Sequence, residues 1–150
     1  MFDGATPPVP AGPVAPTPLS AALARIGDRW SLLVVAELIG GPKRYNDLLA
    51  AVPGLASNIL AQRLKALEGH GLVVGRAYRE RPRRLAYGLS AEGQELAGVL
   101  RLLAVWGAGT APGVDAPAHR ACGTPLETHW GCPTCGIDVD DPATDDLSYA

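Results

Sequence analysis

The chain has 150 residues, of which 47% are hydrophobic, enough for one domain of ordinary size with small attachments. No segment has the roughly 18 to 20 apolar residues of a membrane span, and no basic-then-apolar signal pattern begins the chain, so we expect a cytoplasmic, nucleoid-associated protein. The net charge of -2 conceals an asymmetry, because residues 43–84 carry nine cations against three acids (+6) and residues after 112 carry one against seven (-6), which indicates an anion-binding module with an acidic appendage.

The N-terminal part predicts a leader followed by two helices. Residues 1–16 are rich in Pro, Ala and Gly, and we expect a flexible leader. Residues 18–26 predict a first helix, with Leu19, Leu23 and Ile26 on one face. After Gly27 and a plausible N-cap at Asp28, residues 30–39 predict a second helix, whose core-facing residues are Trp30, Leu33, Val34 and Leu38.

Residues 45–68 predict two short helices joined by a tight turn. The first, over 45–52, ends at Pro53-Gly54, which cannot continue a helix. The second, over 56–68, turns Leu60, Leu64 and Leu67 inward and Asn58, Gln62 and Lys65 outward. Two short helices joined by a Gly-containing turn predict a helix-turn-helix.

A basic hairpin follows. Residues 72–78 and 85–89 are strand-like, and the segment between them carries four arginines around Pro82. A helix-turn-helix with such a hairpin is a winged helix, so the predicted fold is mainly α with a small β-hairpin, in the α+β class, over residues 17–107. Its second helix is expected in the major groove of double-stranded DNA and the hairpin on the backbone or minor groove.

Roles at the DNA follow from side-chain chemistry. Ser57, Asn58 and Gln62 are assigned to base edges, with contact to phosphate or water alone as the alternative. Arg63 flanks the apolar face, so an intramolecular salt bridge is at least as plausible as a DNA contact. Lys43, Arg44 and Lys65 are assigned to phosphate. The wing arginines are assigned to the backbone or minor groove, with a solvated hairpin tip as the alternative: Arg79, Arg81, Arg83 and Arg84.

The last predicted helix of the domain starts after Ser90, a plausible N-cap. It carries a wide apolar stripe that includes Leu96, Val99, Leu100, Leu103 and Trp106. A single winged helix has too little core to cover this stripe, so we expect a homodimer through the first and last helices. Packing under the hairpin is the alternative.

Beyond a linker over 108–117, residues 118–138 contain all three cysteines, which favours metal ligation over a disulfide framework. His119 and Cys122, then Cys132 and Cys135, share one spacing and a closing glycine. This pattern predicts a structural zinc ribbon with these four ligands. His129 is the rival fourth ligand, and the alternative for the cluster is three ordinary cysteines in a loop. Residues 139–150 predict a disordered acidic tail.

Residues 17–107 resemble the HxlR-type winged-helix transcriptional regulators of bacteria. The resemblance is carried by Ile26-Gly27-Asp28-Arg29-Trp30, Gly41-Pro42, Pro53-Gly54, Gln62 to Glu68, Gly71-Leu72-Val73 and Pro82 with Tyr87. It implies a dimeric DNA-binding repressor or activator that recognises an inverted or direct repeat. The resemblance implies that some actinobacterial relatives carry a similar C-terminal zinc-ribbon extension. The chain is rich in Ala, Gly, Pro and Arg, which is in keeping with a high-GC genome of this kind.

Two departures from the family pattern stand out. Thr17 occupies the position where many relatives have a cysteine, which excludes a thiol switch there. Ala56 stands where the family tends to have Ser, so either Ser57 caps a shifted helix or the helix lacks about a kilocalorie of capping.

The alternative function is a metal- or redox-responsive interaction module that uses the Cys3His cluster. Enzymatic activity is not expected, because the sequence has no recognisable catalytic triad, phosphate-binding glycine loop or acid-base carboxylate pair.

Overall fold

The computed structural model describes residues 17–110, 112–127 and 129–138, so the predicted leader and acidic tail lie outside the described residues. The order along the chain is α1 (Pro18–Ile26), α2 (Arg29–Ile39), β1 (Lys43–Arg44), α3 (Tyr45–Ala51), α4 (Ser57–Gly69), β2 (Val73–Glu80), β3 (Arg83–Leu89) and α5 (Ala91–Thr110). Within these ranges no helix is both long and apolar enough to cross a membrane. The mixed α/β winged-helix fold is confirmed.

The sheet has three antiparallel strands in the order β1-β3-β2. β2 and β3 form the wing, with Val73 opposite Leu89 at its base and Glu80 opposite Arg83 at its end. The two-residue strand β1, which sequence reasoning did not predict, pairs Lys43 with Tyr87. It ties the start of the helix-turn-helix to the wing, because α3 follows β1 directly.

The core lies between α2, α3, α4 and the base of the wing. Its fully buried side chains include Leu38 of α2, Leu48 of α3 and Leu60 of α4. The prediction that Leu33 faces this core is wrong: Leu33 is 44% exposed, and Val35 is buried in its place. α2 buries adjacent residues because it is covered on two sides, by α4 and by α5, so a single narrow stripe does not describe its buried surface.

Side-chain caps fix the starts of three helices. Thr17 Oγ1 accepts the Ser20 N–H at 3.1 Å, which starts α1. Asp28 accepts the N–H groups of Trp30 and Ser31 at 3.1 and 3.0 Å, as predicted for the N-cap of α2. Ser90 caps α5, accepting from the Gly93 N–H at 3.0 Å.

The start of α5 lies against the backbone that leaves α4. Ser90 Oγ donates to the Gly71 carbonyl at 2.6 Å, and the Ser90 N–H donates to the Leu72 carbonyl at 3.0 Å. A Cβ atom on Gly93 would lie 2.1 Å from that same Leu72 oxygen, so only glycine fits. These contacts set the direction in which α5 leaves the domain.

α5 continues to Thr110, past residue 108 where the linker was predicted to begin. Gly107 and Gly109 lie inside the helix, so the C-terminal end of α5 cannot be located from the glycine content of the sequence alone. Leu96 and Leu100 pack on the core, whereas Val99, Leu103 and Trp106 on a neighbouring face are exposed. The helix therefore carries more apolar surface than its own domain covers.

Candidate nucleic-acid interface

The helix-turn-helix consists of α3, a turn and α4. Gly54 in the turn has φ +79°, a conformation that glycine adopts without strain. Leu60, Leu64 and Leu67 bury one face of α4, at 0–2% exposure. Burial of that face leaves three polar side chains exposed on the outside, as predicted: Asn58, Gln62 and Lys65.

Tyr45, the first residue of α3, holds the start of α4. The Tyr45 hydroxyl lies 2.5 Å from the Ser57 carbonyl oxygen, to which it donates, and 2.9 Å from Ser57 Oγ. Ala56 is the N-cap and supplies no side-chain hydrogen bond, so of the two alternatives the helix lacks a capping side chain. Tyr45 thus positions Ser57 across the turn.

Arg63 makes the intramolecular salt bridge rather than pointing freely outward. Its Nη1 lies 3.4 Å from Asp28 Oδ2, and both side chains are about one third exposed. Partial burial raises the pKa of Asp28, but hydrogen bonds from Ser31 and Trp30 and the Arg63 charge outweigh it, so the pKa lies below its usual value. Arg63 therefore links α4 to the start of α2.

The two cations of β1 differ in their surroundings. Lys43 Nζ lies 2.5 Å from Glu37 Oε2 of α2, in a half-buried pair. The Glu37 carboxylate therefore offsets the Lys43 charge, which was predicted to contact phosphate. Arg44 is exposed, and its guanidinium lies over the Tyr78 ring, 4.6 Å from the centroid. That stacking holds the Arg44 charge beside the wing.

The wing is longer and its turn tighter than predicted, since the strands continue to Glu80 and Arg83. Arg79 stands opposite Arg84, and Glu80 stands opposite Arg83. The Arg79 Nε also donates to the Arg81 carbonyl at 3.2 Å. All four arginines of this basic tip, Arg79, Arg81, Arg83 and Arg84, are exposed.

Two grooves flank the wing, one of about 420 Å³ and one of about 500 Å³. The 500 Å³ groove, toward α3, is lined by Asp47 and, among others, by three arginines and three tyrosines: Arg44, Arg83, Arg84, Tyr45, Tyr78 and Tyr87. The 420 Å³ groove, toward α5, is mostly apolar and is lined by Pro42, Tyr78, Leu89 and Gln94 among others. Of these two grooves, the one toward α3 combines three arginines with aromatic walls, so it is the groove suited to an anionic backbone.

In the C-terminal module, the predicted metal ligands come together as two pairs. His119 Nδ1 lies 3.2 Å from Cys122 Sγ, and Cys132 Sγ lies 3.1 Å from Cys135 Sγ. The described part of the chain contains no group of three or more such side chains close enough to hold an ion. The Thr124 hydroxyl, 3.2 Å from Cys122 Sγ, lowers the pKa of that thiol to about 7, with a further contribution from His119.

Comparison with known proteins identifies the winged helix. The profile of the HxlR-like helix-turn-helix family matches residues 25–114. The HTH-type transcriptional regulator sll1512 of Synechocystis sp. is 41% identical over 75 residues, which are 50% of this chain and 56% of that protein. YtcD of Bacillus subtilis is 33% identical over 90 residues, 60% of this chain and 71% of that protein.

Solved structures agree with this match. A crystal structure of an HTH-type regulator named ytcD superposes with a TM-score of 0.59 at 32% identity, covering 63% of this chain and 96% of that one. The oxidised form of the redox regulator HypR superposes with a TM-score of 0.57 at 28% identity, covering 60% and 93%. The matched residues include α2 to α5 and the whole wing, and the chain belongs to the HxlR-like helix-turn-helix family of transcriptional regulators.

Proposed function

We propose that this protein binds operator DNA as a homodimer, with α4 in the major groove and the wing on the backbone or minor groove. The observation that carries the proposal is the division of α4 into a buried leucine face and an exposed face of Asn58, Gln62 and Lys65. Amides can pair bidentately with adenine, and a lysine can neutralise phosphate. The exposed face therefore combines sequence readout with electrostatic attachment.

The surroundings of α4 favour this use. Tyr45 fixes the N-terminal end of the helix, and the Arg63–Asp28 pair fixes its middle against α2. A recognition helix held at two points presents its outer side chains in a constant direction, which base-edge hydrogen bonding requires. Lys43 and Arg63 then act mainly within the protein, and phosphate contact falls to Arg44, Lys65 and the basic tip.

The homodimer rests on exposed apolar side chains of α1 and α5. Leu19 is 68% exposed and Trp106 is 71% exposed, with Leu23, Val99 and Leu103 also on the surface. Exposed apolar surface of this extent marks an interaction site. A second copy is the occupant proposed, because a two-fold dimer places two recognition helices on successive turns of one duplex face.

Sedimentation at micromolar concentration tests the dimer. Trp106→Glu should shift the protein to monomers, since it places a charge in the proposed interface. Val114→Glu is the matched control, because it changes another exposed apolar residue, outside α5. A monomeric parent protein, or dissociation caused equally by both variants, would refute the proposed interface.

Selection from a random duplex library at near-physiological salt tests DNA recognition. An enriched repeat with half-sites about one helical turn apart is the expected result. Asn58→Ala should then relax the preference at one base pair of each half-site, whereas Lys65→Ala should weaken all sites alike and lower the salt dependence. Weak retention that is steeply salt-dependent and without enrichment would show non-specific binding only.

A redox- or metal-responsive role is the second candidate, favoured by three free cysteines, of which Cys122 and Cys135 are exposed and Cys132 is half-buried. The structural neighbour HypR is described as a redox regulator. In this role the state of the cysteines would change DNA affinity. Unchanged affinity for the selected site after chelation and after mild oxidation would exclude it.

A further inference from the structure

We infer that residues 118–138 bind one zinc ion through His119, Cys122, Cys132 and Cys135, and that the ion supplies the folding free energy of this module. The inference rests on a repeat in the backbone: residues 118–125, the first knuckle, and residues 131–138, the second knuckle, have the same fold. They are offset by 13 residues, which superimposes His119 on Cys132 and Cys122 on Cys135.

The first knuckle is a closed turn around His119. An antiparallel bridge joins Ala118 to Pro125 at its base. The His119 N–H donates to the Thr124 carbonyl at 2.8 Å, and the His119 carbonyl accepts the Gly123 N–H at 2.7 Å. Gly123 has φ +71°, the left-handed conformation in which a residue with a side chain is strained.

The second knuckle repeats each of these features. A bridge joins Gly131 to Asp138. The Cys132 N–H donates to the Ile137 carbonyl at 2.9 Å, the Cys132 carbonyl accepts the Gly136 N–H at 2.8 Å, and Gly136 has φ +66°. Two turns that share these hydrogen bonds, each with a potential ligand at its second and fifth positions, are the backbone of a zinc site formed by paired knuckles.

Each knuckle already holds its two ligands at chelating distance. Zn–S bonds of about 2.3 Å and Zn–N bonds of about 2.0 Å place two ligands of a tetrahedral ion about 3.5 to 3.8 Å apart. The observed pairs, at 3.2 and 3.1 Å, would open by less than 1 Å. The 3.1 Å between the Cys132 and Cys135 sulfurs also exceeds the roughly 2.05 Å of a disulfide.

The repeat selects His119 over His129 as the fourth ligand. His119 occupies the position equivalent to Cys132, and its Nδ1 faces the Cys122 thiol. His129 lies before the second knuckle begins, and its Nε2 is 3.9 Å from Glu127. One imidazole and three thiolates then make a closed site with no open position for a substrate.

Among the described residues of the module, the large apolar side chains bury little surface. Of its apolar side chains, Leu126 is 40%, Trp130 51% and Ile137 62% exposed. Because the two ligand pairs are separate in the structure, binding one ion must bring the knuckles together, and this step links metal binding to folding of the module. A 340 Å³ cleft separates α5 from four residues of the module, Leu126, Glu127, His129 and Trp130.

The test uses the reduced full-length protein, its zinc content and its Co²⁺ spectrum. One zinc per chain is expected, and Co²⁺ should give the thiolate charge-transfer and tetrahedral absorption bands of a site with three sulfurs. His119→Ala and Cys122→Ser should weaken zinc affinity about 100-fold or more, since even outer partners of metal ligands contribute 10- to 100-fold. His129→Ala is the matched control and should leave affinity unchanged.

Two results would overturn the inference. Reduced protein that takes up neither zinc nor Co²⁺ would exclude the site, and equal losses from His119→Ala and His129→Ala would contradict the ligand assignment. Helix content and thermal unfolding of each variant check the winged helix, whose core is separate from the module. A variant that loses zinc while the helix content of the protein is unchanged supports the inference, and loss of zinc only through global unfolding contradicts it.

Discussion

Arg79 and Arg84 stand opposite each other at the end of the wing and should act together on DNA. Both are exposed, and side chains opposite each other in an antiparallel pair lie on the same face of the sheet. Arg83 stands opposite Glu80, which offsets part of its charge. The variant Arg79→Gln/Arg84→Gln should therefore remove more DNA affinity than any other pair of substitutions in the wing.

The magnitude follows from counterion release. Each phosphate contact adds about 0.9 to the slope of log affinity against log salt, so the double variant should lower that slope by about 1.8. Between 1 M and about 0.1 M salt, each phosphate contact raises DNA affinity about eightfold, so loss of two contacts should lower the affinity at 0.1 M about 60-fold. Fluorescence anisotropy with a labelled operator duplex, over a series of salt concentrations, measures both quantities.

Two controls separate a local contact from a general charge effect. Arg83→Gln should lower the slope by less than half as much as the double variant. Arg101→Gln removes one positive charge from α5, beside Leu126 and Trp130, and should leave the slope unchanged. An unchanged slope in the double variant, or an equal decrease in Arg101→Gln, would refute the assignment of the wing to the DNA backbone.

Three further predictions concern stability, each measured by urea unfolding at fixed protein concentration. Asp28→Ala should lower the unfolding free energy by about 1 to 3 kcal/mol, since it removes the α2 cap and the Arg63 pair, whereas Asp28→Asn should cost under about 1 kcal/mol. The pKa of Asp28 is lower in the folded state than its usual value of 3.8. The Asp28 carboxylate therefore contributes to the unfolding free energy above pH 3.8, and this contribution is lost as the pH falls through the lower folded-state pKa. Asp28→Asn should weaken the dependence of the unfolding free energy on acid pH. Gly93→Ala should destabilise by about 1 to 3 kcal/mol through the clash with the Leu72 carbonyl, while Gly98→Ala, with open space around its Cβ, should stabilise by about 0.5 to 1 kcal/mol. Equal effects of the paired variants would contradict these contacts.

Local sequence signals were enough to locate α1 to α4 to within one residue. Each of these helices combines apolar residues at three- and four-residue spacing with a Gly, Pro or polar cap at its ends. The strands of the wing were predicted too short, because alternation of apolar and polar residues marks a strand only where one face is buried. At the basic tip both faces are exposed, and the backbone ladder continues to Glu80 and Arg83 without that signal.

Roles that depend on contacts between distant segments could not be read from the sequence. Glu37 is six residues from Lys43, and Asp28 is 35 residues from Arg63, so neither pairing has a fixed spacing. Lys43 is half-buried by the packing of α2 against β1, and its charge is neutralised there. The exposed side of α4 was predicted correctly, because helix periodicity alone places Asn58 and Gln62 opposite the leucines. Whether they contact bases stays a prediction.

The three faces of α5 connect the proposals about dimerisation and zinc. Leu96 and Leu100 join the winged-helix core, Leu103 and Trp106 are exposed for a second copy, and Leu102 lines the cleft toward the C-terminal module. At 100° per residue, the direction of Leu103 and Trp106 lies about 70° from that of Leu96 and Leu100, and Leu102 lies about 70° beyond it, so the three surfaces adjoin one another around one straight helix. Zinc loading would then support the helix that sets the spacing of two recognition helices without contacting DNA itself. Removal of the metal should therefore weaken dimer association first, and operator affinity should fall only as far as it depends on the dimer.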